Sequence, residues 1–291
     1  MWTRSLLKEN AKRALSGRYG RGLVVCLIPS LLGFICSELM FSLGLPVAMF
    51  SGLGLDWSQP SALTAEALMP MFLSAYLVMM VVVLVWGIFV SNVIAVGSCR
   101  YFMESRQSPA PIGTLFSAFR KPYLNVVKVY LLVDLKIVGI MLLFAIPACI
   151  LGVLSLSVPL AVVLLLLSFL PATYWMYCYM MVPYLLAENP YLTTRRAMEL
   201  SKQMMYGEKL RFFVLQLSFF GWALLCSLLG WTLALILPLL ASFCTLPLLP
   251  YMKATYAEFY AAMRAKALSQ GMSTPEELGG FVRHDSNTAA L

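Results

Sequence analysis

The chain has 291 residues, of which 61% are apolar and only 12% charged. Soluble domains average about 45–50% apolar and about 25% charged residues, so this composition excludes an ordinary soluble protein and belongs to a chain solvated mainly by lipid. A net charge of +8 would raise nucleic acid as the partner of a soluble chain. Here Lys and Arg are confined to short stretches between apolar runs, which makes them orientation signals and anionic lipid their counter-charge.

The chain begins with a basic amphipathic stretch. Leu7, Ala11, Ala14 and Leu15 form an apolar arc opposite Lys8, Lys12 and Arg13, the pattern of a surface helix. The first apolar run, Leu23–Leu45, is too long for a signal-peptide core and lacks an A-x-A cleavage site, so it reads as an anchor that stays. A loop from Pro46 to Pro70 carries only Asp56 and Glu66 and is too small to fold as a binding domain. The second run, Met71–Val96, is followed by a second amphipathic stretch with Ile112, Leu115, Phe116 and Phe119 at helical spacing. Runs at Val129–Leu154 and Val158–Leu186 come next. Asn189 and Pro190 then offer an N-cap and first turn for a third amphipathic helix with Ala197, Leu200 and Met204 inward. Phe212–Leu229 and Trp231–Tyr251 complete six runs, each near the about 20 residues that cross about 30 Å of hydrocarbon. Beyond them, 267–291 has little to bury and reads as a flexible cytoplasmic tail.

The connections after the first, third and fifth runs contain no Lys or Arg; those after the second and fourth, with the two termini, hold 20 of the 21. By the positive-inside rule both termini are cytoplasmic. The even number of runs agrees.

Two segments repeat in spacing: Lys12, Gly17 and Arg21 lead into Leu23, and Lys202, Gly207 and Arg211 lead into Phe212. A looser copy has Arg120, Asn125 and Lys128 before Val129. The expected fold is an all-α membrane protein of six transmembrane helices in three hairpin repeats (about 1–105, 106–188 and 189–266), each preceded by a cytoplasmic amphipathic interfacial helix.

The segments Ala11–Gly20 (AKRALSGRYG), Met181–Pro190 (MVPYLLAENP), Ala197–Lys202 (AMELSK), Leu217–Trp222 (LSFFGW), Pro250–Tyr251 and Phe259–Tyr260 resemble a bacterial family of integral membrane proteins, domain of unknown function 975. The resemblance spans nearly the whole chain. It implies a multi-pass protein of the bacterial cell membrane, with a fold related to the membrane domains fused to some glycerophosphodiester phosphodiesterases, and it carries over no activity, substrate or catalytic residue. In the family the position of Gln216 is often Asp; this chain departs there and lacks the ionisable group.

An ionisable side chain inside a span costs about 2.5–3.5 kcal/mol on insertion scales, so each is a functional candidate. Glu38, Asp134 and Lys136 qualify. Registering the repeats puts Asp134, Gln216 and Cys26 at equivalent depths, which points to a shared inner-leaflet cavity. Against this, Asp134 lies about 9 Å along a helix past Lys128 and has a plain structural reading as an ion pair near the headgroups, while Lys136 can snorkel. Glu38 lies toward the outer end of its span. Asn92 and Gln216 are interhelical hydrogen-bonding groups first and ligand contacts second. The aromatic residues around Tyr174–Tyr184 read as an interfacial belt and packing layer before a pocket, and Lys12, Arg21, Arg120, Lys128, Lys202 and Arg211 as headgroup contacts. Prolines such as Pro147, Pro171 and Pro183 bend their spans.

Seven cysteines without a CxxC read as small apolar residues, and the single His284 excludes a zinc site or a His-based triad. No cofactor and no catalytic motif is expected, which makes enzyme the least favoured class. Two functions are left: non-enzymatic binding or transport of a lipid or small amphiphile at the inner leaflet, or an accessory subunit whose interfacial helices dock a protein partner or a second copy.

Overall fold

Apolar runs of this length leave the helix as the form that satisfies every backbone group without water. The computed structural model describes residues 2–52, 60–120, 122–153, 158–234, 236, 241 and 243–279, and among these every regular element is helical. Helix α1 (Arg4–Leu15) leads to α2 (Tyr19–Gly52) and α3 (Pro60–Trp86), which passes through a π-helical turn (Gly87–Ser91) into α4 (Asn92–Ser105). A 3-10 helix (Ile112–Phe119) precedes α5 (Tyr123–Val153), α6 (Val158–Cys178) and α7 (Val182–Glu188). After α8 (Thr194–Met204) and α9 (Lys209–Ala234), a 3-10 turn (Leu246–Leu248) opens α10 (Leu249–Ser269).

Among the described residues, five helical stretches are long and apolar enough to cross a membrane: Tyr19–Ser42, Leu73–Ser105, Tyr123–Leu151, Pro159–Glu188 and Lys209–Ala234. The protein is therefore read as a membrane protein. The expected sixth run, Trp231–Tyr251, lies in part outside the described residues; Trp231 itself continues α9. Within the most apolar stretch of each span only 11–17% of residues are buried, so most of their surface is left for hydrocarbon. The protein core lies instead where α1, α4, α7, α8 and α10 converge, around Tyr101, Phe102, Leu185, Leu200, Phe259 and Tyr260. We call this the polar end.

Local chemistry explains how chains enter it. Thr3 caps α1 and Thr193 caps α8, each hydroxyl accepting from the backbone N–H three residues on. Both helices then turn at a glycine with positive φ, Gly17 at 68° and Gly207 at 77°, where an L side chain would cost about 1–2 kcal/mol. The cap expected at Asn189 is displaced to Thr193. Asn189 closes α7 instead, and its side-chain oxygen accepts from Tyr191 N at 3.0 Å.

The apolar faces of α1 and α8 are covered by the chain itself: Ala11, Ala197, Leu200 and Met204 are fully buried. The second amphipathic stretch is 3-10 rather than α. Its three-residue period aligns Ile112, Leu115 and Ala118 toward the core and turns Phe116 and Phe119 outward. Gly97 of α4 permits this, because a Cβ there would lie 1.8 Å from the Leu115 carbonyl oxygen. Pro183 sits at the first turn of α7, where the span Pro159–Glu188 breaks. Ser201 of α8 fixes that break by donating to Cys178 O (2.7 Å) and accepting from Met181 N (3.2 Å).

Composition assigns residues beyond 267 to a flexible tail, yet 270–279 fold back onto α8. Arg196 donates to both Glu277 carboxylate oxygens (2.7 and 2.8 Å) and to Met272 O (2.7 Å), and Leu278 is fully buried. The Arg196 hydrogen bonds hold the Glu277 carboxyl below its ordinary 4.5. A depressed carboxyl stabilises the docked form above the ordinary carboxylate range, and the contribution is lost as pH falls through the lowered value. Hydrogen exchange of 270–279 is therefore expected to accelerate in acid below that range, and Arg196→Gln to remove the pH dependence. An acid-insensitive wild-type segment would contradict this.

Candidate functional site

The polar end is held by buried ion pairs. Glu188, with a fully buried side chain, accepts from Arg264 Nε (2.7 Å) and from Tyr260 OH (2.6 Å). Arg106 forks onto both Glu258 oxygens at 2.6 and 3.1 Å, the bidentate geometry that makes arginine–carboxylate pairs strong. Glu208 gathers Lys266, Trp2 and Arg211 at 3.1, 3.2 and 3.5 Å. These acids are fully engaged and tie α4, α7, α10 and the start of α9 together.

The in-span candidates separate into distinct contacts. Asn92 donates to Asp134 Oδ2 at 2.9 Å; the partner of Asp134 is this amide rather than Lys128, which is exposed. Asn92 follows directly on the π-helical turn, a local widening of the helix frequently found at functional sites. The structure thus joins two candidates from different spans. Gln216 instead accepts from Tyr177 OH at 2.6 Å, and Glu38 lies exposed on α2, away from both.

Lys136 is placed by its rings. Its ammonium stands 5.1 Å from the Trp175 centroid and 5.6 Å from that of Tyr179, two stacked rings of the span Pro159–Glu188. Lys202 of α8 meets the same rings at 4.9 and 5.6 Å. Cation–π attraction to tryptophan and tyrosine faces is worth about 0.5–2 kcal/mol, and it brings two like charges to one spot. Neither lysine has an ion-paired carboxylate among the described residues. The buried Tyr179 hydroxyl has no hydrogen-bond partner among the described residues. Lys209 adds a third ammonium 4.0 Å from the Tyr174 ring. Trp175 and Tyr179 were legible only as part of a belt; that both lysines converge on them depends on how α8 crosses α5 and α6.

Three cavities among the described residues are lined by other groups, and neither Asp134 nor Gln216 lines any of the three. One of ≈240 Å³ lies between α2, α4 and α10, with Cys26, Ser30, Ser91, Ser98 and Lys253 in its wall. A second, open and mostly apolar, has ≈430 Å³ between the start of α1 and α9, with Arg4 and Arg211 in its wall. The third, ≈210 Å³, lies between α4, the 3-10 helix and α7, and is lined in part by Arg100, Ser117 and Arg120. Of the remaining headgroup candidates, Lys12 stands 5.9 Å from the Tyr251 ring and Arg21 is exposed.

No curated protein and no solved structure matches the chain. A family model does, over residues 1–267, and covers α1 through nearly all of α10. The chain therefore belongs to the family described as protein of unknown function, DUF975.

Proposed function

We propose that this protein binds or moves a lipid or small amphiphile, without enzymatic chemistry, at the leaflet that meets its polar end. The observation that carries the reading is the convergence of Lys136 and Lys202 on the Trp175–Tyr179 pair beside an unpartnered Tyr179 hydroxyl. Ammonium groups over interfacial aromatic rings are suited to an anionic headgroup, while sparsely buried spans leave room for acyl chains. Six spans in three hairpins, with both termini in the cytoplasm of a bacterial cell, go with this reading. The matched glycine turns after α1 and α8 and the basic connections support that arrangement.

In this reading the Asn92–Asp134 hydrogen bond holds α5, which carries Lys136, against α4. The test is mass spectrometry of lipids retained by the full chain in native-lipid discs. Each lysine near anionic lipid contributes about 1 kcal/mol, so Lys136→Gln with Lys202→Gln is expected to lower enrichment of anionic lipid roughly tenfold or more. Asp134→Asn is expected to lower occupancy while assembly stays intact. Full retention of the same lipids by both variants would overturn the proposal. The alternative, an accessory subunit docking through α1 and α8, has less support because their apolar faces are already covered within the chain; it requires a stoichiometric protein partner in the same discs.

A further inference from the structure

The ≈210 Å³ cavity between α4, the 3-10 helix and α7 is distinct from the lysine–aromatic cluster. Its polar wall is unusual for this protein. Arg100 is oriented by two contacts, Nε donating to Glu104 Oε1 (2.9 Å) and Nη1 to Ala187 O (3.4 Å). Arg120 makes no ion pair among the described residues. Ser117 Oγ is buried and has no partner among the described residues, a condition that costs about 1–3 kcal/mol unless a bound group satisfies it.

The nearby carboxylates are each paired within the fold. Glu104 is occupied at both oxygens, by Arg100 and by Thr114 Oγ1 at 3.3 Å. Glu188 is sealed by Arg264 and Tyr260. Asn125 closes one side by donating to Pro190 O and Leu192 O (2.8 and 2.9 Å). Beside the cavity, Phe116 and Phe119 are exposed, and Phe119 stacks on Tyr123 at 5.8 Å, an aromatic ridge of the kind that rests at the membrane interface.

We propose that Arg100, Arg120 and Ser117 form a binding site for a phosphate monoester group. Arg120 supplies the uncompensated charge, since the charge of Arg100 is offset by Glu104; both guanidinium groups supply forked donors, and the serine hydroxyl donates a third hydrogen bond. The volume falls below the about 300–1,000 Å³ of drug-sized sites, so the cavity takes the phosphate and the atoms next to it, not a whole lipid. The same chemistry arises from an anionic lipid headgroup or from a soluble phosphate.

The test uses the full chain in phosphatidylcholine discs, titrated with inorganic phosphate, and separately in discs containing phosphatidic acid. Arg120→Gln is expected to weaken binding about tenfold and Ser117→Ala several-fold, in whichever arm binds. Loss in the phosphatidic acid arm alone identifies a headgroup; loss in the inorganic phosphate arm identifies a soluble phosphate as sufficient. Wild-type binding by both variants, or no binding by wild type in either arm, overturns the site. Binding that survives Arg120→Gln and Ser117→Ala but is lost on Lys136→Gln with Lys202→Gln belongs to the lysine–aromatic cluster and overturns this site.

Discussion

Replacing Glu188 by alanine is expected to destabilise the polar end by about 3–5 kcal/mol, the cost of removing one partner from a buried pair. Its carboxylate is fully buried and accepts from Arg264 and Tyr260. Truncation leaves the Tyr260 hydroxyl, in a residue only 1% exposed, without its acceptor. Arg264 retains some access to water, with 27% of its side chain exposed, which places the loss toward the lower end of that range. Glu188→Gln keeps the volume and one acceptor and is expected to cost less than alanine. The measurement is denaturant unfolding of the purified chain in detergent, with Arg264→Met in the Glu188→Gln background. That double variant is expected to be more stable than the sum of the single losses predicts, because each removes the other's unpaired group. Strict additivity would show that the pair does not act as a unit.

The second large effect is steric. At Gly97→Ala the added Cβ falls 1.8 Å from the backbone oxygen of Leu115, and a backbone atom has no rotamer by which to retreat. Overpacking ordinarily costs about 1–3 kcal/mol, and this contact stands at or above the top of that range. The 3-10 helix must move as a body. Because it also carries Ser117 and precedes Arg120, Gly97→Ala is expected to lower the thermal midpoint and to weaken phosphate binding together. Gly113→Ala is the control on the same element, since nothing lies within 4 Å of the Cβ it would add. An unchanged midpoint for Gly97→Ala would show that α4 and the 3-10 helix do not approach this closely in solution.

The helical membrane class, the positions of most spans and the matched glycine turns were legible in the sequence, because each rests on local signals. Runs such as Leu23–Leu45 and Val129–Leu154 are long enough by composition alone. Gly17 and Gly207 mark the ends of α1 and α8, where both turn at positive φ. The inward residues of those helices, Leu7, Ala11, Ala197 and Leu200, followed from 3.6-residue periodicity. Residues 112–119 also show that spacing, but they form a 3-10 helix because the close approach to Gly97 decides the winding.

Pairing across the fold followed a different logic. Depth along a helix placed Asp134 near Lys128 and left its partner open; the π-helical turn and the packing of α4 beside α5 brought Asn92 to it. The Lys136–Lys202 cluster joins residues far apart in the chain around rings supplied by a third element. The anchoring of Glu277 on Arg196 likewise turns a polar, unremarkable stretch of sequence into part of the core. Hydropathy and glycine turns are written residue by residue, so the sequence by itself determined the class, most of the spans and the turns at Gly17 and Gly207. Which polar groups meet depends on helix crossings set by the whole core, and only the tertiary structure decided those.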